Sequence, residues 1–216
     1  MNVKNFFKID LGVNVQEQFD FLASIVLNNS KIVVCEDVFM PVEVEVMSYI
    51  TGFHEDPWMH NSYHQLNHLT WYFHGKTPNR YGLDLTFGSD ADEIYASMLI
   101  RRMININTGQ ELEGPSKVAN YILNKLDMKT IGEFENIDRR GATQVANSKF
   151  YFDFQNNFKP KEIFSFPRNR EIKKSKKEWK SAESLDYFFK SYRYLTKFRE
   201  EDATNYHNYM WLVKTN

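Results

Sequence analysis

The chain has 216 residues, of which 42% are hydrophobic and 16% aromatic, and its formal net charge at pH 7 is -1. That length and apolar content can bury a full core, so one domain over residues 1–216 is expected. A single cysteine, Cys35, excludes an internal disulfide and a cysteine-based zinc cage. The sequence contains no run of about 18 apolar residues and no signal-peptide pattern at its start, so we expect a soluble, cytoplasmic protein with no membrane partner.

Regular spacing of apolar residues predicts a chain of helices and strands around a central sheet. Helical spacing predicts a first helix over 15–27, and Pro115 in a first helical turn predicts a second over 115–126. Patterns typical of strands occur in six segments: 31–36, 42–50, 81–87, 95–104, 150–154 and 206–213. The segment between the second and third of these strands is expected to be a loop or a short helix.

The strand predicted over 42–50 carries two carboxylates. Side chains alternate between the two faces of a sheet, so its three valines share one face and Glu43, Glu45 and Met47 share the other. One face is therefore expected to be core and the other polar. The pattern fits an ordinary half-exposed strand, and it also fits a catalytic site beside the acidic, histidine-rich loop that follows.

Charge is distributed unevenly along the chain. Residues 1–58 contain nine acids against three lysines, a balance of -6, whereas residues 159–180 contain nine basic residues against three glutamates, a balance of +6. The basic stretch could contact phosphates. It could equally be a solvated surface segment, so charge permits nucleic-acid binding without establishing it.

Five of the six histidines lie within residues 54–74. Asp56, His60, His64 and His68 are spaced four apart, so on a helix they would share one face and could bind zinc or iron. A proline and a tryptophan interrupt this region, and no HExxH signature is present. A metal-dependent hydrolase built on His54–His74 is therefore one hypothesis, and a surface segment with solvated histidines is the other.

Six short segments, taken together and in order, resemble a known enzyme family. They are LASIVLNNSKIVV, VEVEV, HEDPWMHNS, YGLDLTFG, MLIRRM and EGPSKVANYIL. Their order and approximate spacing resemble the alkyladenine, or 3-methyladenine, DNA glycosylase family, most clearly at 99–101 and 114–117. The resemblance implies an α+β fold, a single mixed domain with a central curved, mainly antiparallel sheet and peripheral helices.

The resemblance also implies an activity, the hydrolysis of the bond between a damaged purine and its sugar. The alkylated or deaminated base is turned out of double-stranded DNA into a pocket, by an enzyme expected to be a monomer without cofactor or metal. Glu45 matches the acid that activates water, and Arg101 matches the arginine near that water. A carboxylate there can deprotonate water and offset the positive charge that develops on the sugar. No lysine stands where Schiff-base chemistry would need one, so strand cleavage is not expected.

The base pocket is where the chain departs from the family. His60 matches the pocket histidine, but Met47 and Asp84 occupy positions where the family has aromatic rings, and Tyr49 is the nearest ring to replace one of them. These departures leave open a rival hypothesis, a non-catalytic nucleic-acid-binding protein on the same scaffold.

Three further residues match DNA contacts of the family. Phe87, before Gly88, falls where an aromatic wedge fills the gap left by the flipped nucleotide. Ser116 and Lys117, at the start of the second predicted helix, fit phosphate contacts.

Overall fold

The structure, a computed structural model, describes residues 5–136, 141–143, 148–154, 161–168, 186–187 and 189–196. The strand predicted over 206–213 lies outside the described residues, as does most of the basic stretch.

The α-helices of the described part of the chain include α1 (Val15–Asn29), α2 (Pro115–Lys125) and α3 (Ile131–Glu135), and two 3-10 helices lie at Tyr63–Leu66 and Pro78–Arg80. Helix α1 begins after Asn14, whose side chain accepts hydrogen bonds from the backbone of Gln16 and Glu17, as an N-cap should. The two predicted helices are confirmed to within two residues at each end. None of the helices in the described part of the chain has the length and apolar character needed to cross a membrane.

The strands form one antiparallel sheet that curls into a half-barrel. They are β1 (Ser30–Val34), β2 (Asp37–Ile50), β3 (His54–Glu55), β4 (His68–His74), β5 (Gly82–Phe87), β6 (Tyr95–Asn105), β7 (Glu111–Glu113), β8 (Phe150–Phe154), β9 (Phe164–Phe166) and β10 (Arg193–Leu195). The main order is β4-β5-β6-β2-β1-β8, with β3 and β10 paired to β2, β7 to β6, and β9 to β10. The expected mixed α+β architecture with a mainly antiparallel sheet is confirmed, as are the strands predicted within the described residues.

Strand β2 lies at the centre of this sheet. One edge pairs with β6 along most of its length, and the other edge is shared by β1, β10 and β3 in turn. It begins at Asp37, earlier than predicted, and passes through Pro41 beside an irregularity in the register with β6. Proline within a sheet is tolerated at such irregularities because they already interrupt the ladder of hydrogen bonds.

The sheet has a core face and a face that carries polar side chains. Val44 and Val46 lie in the main hydrophobic core with residues of α1 and α2, as the alternation predicted. The opposite face is buried too, since Glu43 is 4% exposed, Glu45 1% and Met47 3%. The interpretation of residues 42–50 as a half-exposed strand is therefore wrong, because other parts of the chain cover both faces of this strand.

Gly88 directly follows β5, in a position that has no room for a side chain. A Cβ there would overlap the carbonyl oxygens of Gln65 and Ile94, which are backbone atoms and cannot rotate away. We expect Gly88→Ala to destabilise the protein by about 1–3 kcal/mol, the usual range for overpacking. Urea unfolding measures this difference.

Gly132 provides the matched control for that substitution. It lies in α3, and the nearest atom to an added Cβ is 3.8 Å away. Alanine is the better helix former, so Gly132→Ala should leave stability unchanged or raise it by up to about 1 kcal/mol. Equal stability of the two variants would show that the packing at Gly88 is not tight.

Candidate functional site

The candidate site is a set of polar side chains on the sheet face opposite the main core, which we call the polar face. A row of paired residues crosses it from strand to strand: Tyr72, Asp84, Leu99, Glu45 and Arg193. Directly paired residues in a sheet point to the same side, so this row places the two carboxylates on one face. The sheet register therefore brings β4, β5, β6, β2 and β10 to a common site.

Glu43 is the centre of a buried ion cluster at one end of the polar face. Its Oε1 lies 2.9 Å from Nε of Arg101 and 2.7 Å from Nε of Arg193, and its Oε2 lies 3.5 Å from Nε of Arg102. Arg102 is fully buried and also lies 3.5 Å from Glu111. The carboxylate of Glu43 thus forms ion pairs with three guanidinium groups, an arrangement that indicates a structural role for Glu43.

An irregularity in the sheet lets two consecutive arginines reach Glu43. Side chains at successive strand positions should point to opposite faces. The register between β2 and β6 shifts on both sides of Glu43, so that Glu43 pairs with Arg102 and Val44 with Ile100, leaving Arg101 as the extra residue. Such bulges re-aim side chains and are common beside active sites.

Arg101 connects this cluster to Glu45. Its Nη1 lies 3.1 Å from Oε1 of Glu45, and its side chain is 20% exposed, whereas that of Glu45 is 1% exposed. Burial acts to lower the pKa of Arg101, but the charges of Glu45 and Glu43 outweigh it and the pKa is raised. The guanidinium therefore stays charged and offers a partly exposed cation directly beside a buried carboxylate.

A chain of polar contacts runs along the other end of the polar face. Gln65 donates from Nε2 to the Ser97 hydroxyl at 3.0 Å, and that hydroxyl donates to Oδ2 of Asp84 at 3.1 Å. The same Oδ2 lies 3.4 Å from Nδ1 of His74, whose ring is 5.4 Å from that of His60. Asp84 is thus a fully buried acid held from two sides.

A small apolar cluster lies between these two groups. Met47, Met59 and Leu99 pack together, with Tyr49 and Tyr95 against them. Met59 belongs to the segment that follows β3, and Gln65 to the short 3-10 helix Tyr63–Leu66. These side chains cover part of the polar face and explain why its acids are buried.

Most of the site residues predicted from the sequence meet on this face. Glu45, Arg101, Met47, Tyr49 and Asp84 all lie there. The exposed His60 reaches it through His74. Their roles in catalysis and binding remain predictions, but their proximity no longer depends on the motif resemblance.

The three residues predicted to contact DNA lie elsewhere. Phe87 is 1% exposed and packs edge-on against Phe7 in the main core, 6.3 Å between ring centroids, so it is not placed as a wedge. Ser116 donates from its hydroxyl to the carbonyl of Asn79, and Lys117 is exposed in the first turn of α2. A phosphate contact by Lys117 stays a prediction, whereas Phe87 would first have to leave the core.

The histidines do not share a helix face. Residues 56–68 form turns, a 3-10 helix at Tyr63–Leu66 and the start of β4, so the hypothesis that the four residues share one face of a helix is wrong. Within the described ranges no group of three or more His, Cys, Asp or Glu side chains could hold a metal ion. His64 stacks on Tyr72 and lies 3.6 Å from Glu135, and His68 donates to the carbonyl of Phe7.

His54 is a buried structural histidine. Its Nδ1 lies 3.0 Å from the Ser48 carbonyl, to which it donates, and its Nε2 lies 3.0 Å from the Tyr192 hydroxyl. Burial lowers its pKa below the ordinary 6.5, although the Ser48 contact and the charge of Asp56 act the other way. Both ring nitrogens are therefore used within the fold.

The lowered pKa of His54 predicts a loss of stability in mild acid. Below the ordinary value of 6.5 the unfolded chain takes up a proton at this ring while the folded chain does not, so the contribution is present above pH 6.5 and is lost as pH falls. We expect His54→Gln to show a shallower fall in unfolding free energy between about pH 7.5 and 5.5. Urea unfolding at the two pH values tests this, and identical slopes for both proteins would contradict it.

Sequence reasoning did not place two residues in this site: His74, which it assigned to the histidine cluster of the metal hypothesis, and Arg193. Strand β4 reads HLTWYFH, in which Trp71 and Phe73 face the core while Tyr72 and His74 face the site. This alternation of buried and partly buried positions could have placed His74 on the same face as Tyr72. No pattern in the sequence could have placed Arg193, because its position depends on the pairing of β10 with β2.

The basic stretch has one buried member among its described residues. Arg168 is 1% exposed and its Nη1 lies 2.7 Å from Oδ2 of Asp56, which is fully buried. Its guanidinium also lies 5.6 Å from the ring centroid of Tyr192. Arg168 is therefore committed to the fold and is not available for phosphate.

Comparison with known proteins relates this chain to a protein of a virus. No family model matches the chain. An uncharacterized protein of Acanthamoeba polyphaga mimivirus is 29% identical over 174 residues, which cover 71% of this chain and 78% of that protein. The similarity joins this chain to a viral protein without assigning either a function.

Proposed function

We propose that the protein is a monofunctional DNA glycosylase that releases a damaged purine, with Glu45 as the general base. The proposal rests on the pair of Arg101 and Glu45, 3.1 Å apart on the buried polar face. Two further features support it: the curled antiparallel sheet with helices packed on one face, and the motif order that led to the same two residues. The glycosylase-like fold and a monomeric, cytoplasmic enzyme acting on double-stranded DNA are parts of this proposal.

The chemistry that this pair can perform follows from its geometry. Glu45 accepts a proton from water as the water oxygen attacks C1′ of the sugar. The bond from C1′ to the purine nitrogen breaks and its electron pair leaves with the base. A cationic alkylated purine leaves as the neutral base and the proton on Glu45 passes to solvent, whereas a purine that was neutral takes up that proton as it leaves. The carboxylate offsets the positive charge that develops on the sugar, as carboxylates do in other hydrolyses of glycosidic bonds.

Arg101 is a positioning residue in this mechanism. It holds Glu45 in one orientation, and its partly exposed guanidinium can orient water or contact a phosphate. Glu43 fixes Arg101 in turn through its Nε, 2.9 Å away. The bulge in β6 is what allows one arginine to bridge the two acids.

Release of base from damaged DNA tests the proposal. Duplexes that carry alkylated purines or hypoxanthine are incubated with the protein, and free base is separated by chromatography and identified by mass spectrometry. We expect release of at least one base, leaving an abasic site in an uncut strand. Binding without release from any lesion would favour the non-catalytic binder, and stoichiometric zinc or iron in the purified protein would favour the metal-dependent hydrolase.

A further inference from the structure

Arg193 is a buried cation on the polar face that the proposed mechanism does not yet use. It is 7% exposed, and it lies on β10 directly across from Glu45 on β2. Directly paired residues of neighbouring strands have their Cβ atoms about 5 Å apart on the same side of the sheet. The Nε of Arg193 lies 2.7 Å from Oε1 of Glu43, the preceding residue of β2 on that face. Arg193 therefore lies beside both acids and forms its ion pair with Glu43.

Arg101 reaches the same two acids from the opposite edge of β2. Its Nε donates to Oε1 of Glu43 at 2.9 Å, the oxygen to which Nε of Arg193 also donates. Its Nη1 lies 3.1 Å from Oε1 of Glu45. One arginine on β6 and one on β10 thus enclose two acids that belong to a single strand.

The charges in this part of the polar face balance one another. Among the described residues, three acids and three arginines contact each other here: Glu43, Glu45, Glu111, Arg101, Arg102 and Arg193. Without Arg193, Glu43 and Glu45 would lie about 7 Å apart along β2 with one negative charge uncompensated. A like charge at that distance in a buried site favours protonation of one of the two acids.

Other titratable groups meet this cluster at its edges. Asp84 on β5 is separated from Glu45 by Leu99, with which both residues pair. The remaining neighbours are His74 beside Asp84, and Arg102 and Glu111 on the side of Glu43. Removing the charge that β10 supplies should therefore act most directly on the two acids of β2.

We propose that Arg193 is a second positioning residue, which neutralises Glu43 and thereby keeps Glu45 ionised as the proposed base. With Glu43 neutralised from β10, Arg101 is left to pair with Glu45. A nearby opposite charge keeps a carboxylate ionised where burial alone would favour its protonated form, and only the ionised form can take a proton from water. This inference rests on the proposed function and adds a residue of β10 to those that support catalysis.

The pH dependence of base release by Arg193→Gln tests the inference. Without the charge of Arg193, Glu45 should hold its proton to higher pH, so the midpoint of the acid limb should rise by about one pH unit. Well above that midpoint, single-turnover release should return to within a few-fold of wild type, whereas general damage to the site would lower the rate at every pH. Arg193→Lys keeps the charge and should keep the midpoint close to that of wild type. Arg80→Gln, which removes an exposed arginine, is the control and should leave the midpoint unchanged.

A second measurement needs neither DNA nor catalysis. Carbon-13 NMR of protein labelled at the glutamate Cδ carbons follows the protonation of each carboxyl, and the Glu45 signal is the one absent from Glu45→Gln. Its midpoint should rise by about one pH unit in Arg193→Gln and stay near the wild-type value in Arg193→Lys. An unchanged midpoint in Arg193→Gln would overturn the inference, and so would a rise of the same size in Arg193→Lys or Arg80→Gln.

The outcome for the proposed function is read separately. If no lesion yields free base but the Glu45 midpoint rises in Arg193→Gln, the glycosylase is refuted and Arg193 still keeps Glu45 ionised. Base release with an unmoved midpoint would do the reverse. If Arg193→Gln fails to fold by circular dichroism, the wild-type protein decides. Its Glu45 midpoint should be no higher than that of the exposed Glu17, and a higher midpoint would overturn the inference.

Discussion

Glu45→Gln should lower the rate of base release about 10²- to 10⁴-fold, the usual contribution of a general base. Glutamine keeps the size of the side chain and an oxygen that can accept from Arg101, but it cannot take a proton from water. Arg101 retains its contact with Glu43, so the fold should survive the change. Single-turnover kinetics on one damaged duplex measure the effect on the chemical step.

A control substitution and a binding measurement distinguish a catalytic role of Glu45 from a general effect of replacing a glutamate. Glu17→Gln, on the exposed surface of α1, should release base at the wild-type rate. Binding of the damaged duplex by Glu45→Gln should stay within a few-fold of wild type, because the residue acts on the transition state. Release by Glu45→Gln at the wild-type rate would show that another group activates the water.

Glu43→Gln is expected to have the largest effect on stability, about 3–5 kcal/mol, as when one partner of a buried ion pair is removed. Glu43 is 4% exposed, and its carboxylate contacts Arg101, Arg102 and Arg193. Without the charge of Glu43, Arg193 loses an ion pair at 2.7 Å and Arg102 loses one of its two carboxylate neighbours, the other being Glu111 at 3.5 Å. For a chain of this size the melting temperature should fall by about 6–20 °C.

Thermal unfolding of Glu43→Gln and Glu17→Gln measures this difference. The exposed glutamate should change stability by no more than about 0.5 kcal/mol. Below its melting temperature, Glu43→Gln should release base faster than Glu45→Gln, because its role in the site is indirect. A melting temperature equal to wild type would mean that the three arginines find other partners.

The spacing of apolar residues predicted the helices and strands well, because each element repeats apolar residues along the face that packs against the core. Helix α1 follows from apolar spacing and the cap at Asn14, and the two faces of β2 follow from strict alternation. The same reasoning would have placed Phe87 correctly, since it is in phase with Leu83 and Leu85 on the core face. The hypothesis that Phe87 is a wedge came from the motif resemblance, whereas the alternation along β5 predicts that it faces the core.

The burial of the polar face could not be predicted in the same way. It depends on the segment containing Met59 and Gln65, which folds back over β2 and β6. It also depends on β10, which brings Arg193 opposite Glu45. Both are contacts between residues far apart in the chain, for which alternation within one strand carries no information.

The spacing of the histidines misled for a related reason. A four-residue repeat implies one face only if the segment is helical, and this one passes through turns into a strand. Contacts in the fold then separate its members, since His64 stacks on Tyr72 and His68 donates a hydrogen bond to the carbonyl of Phe7. Spacing alone could not distinguish these environments.

A crystal structure of the protein bound to a duplex that contains an abasic-site analogue would show whether the polar face is the catalytic site. We expect the analogue to lie on the polar face, with a water held between Glu45 and the sugar and with Arg101 beside it. The base side of the pocket should end at Asp84. DNA bound on another surface, with Glu45 still covered and remote from the sugar, would contradict a catalytic role for the polar face.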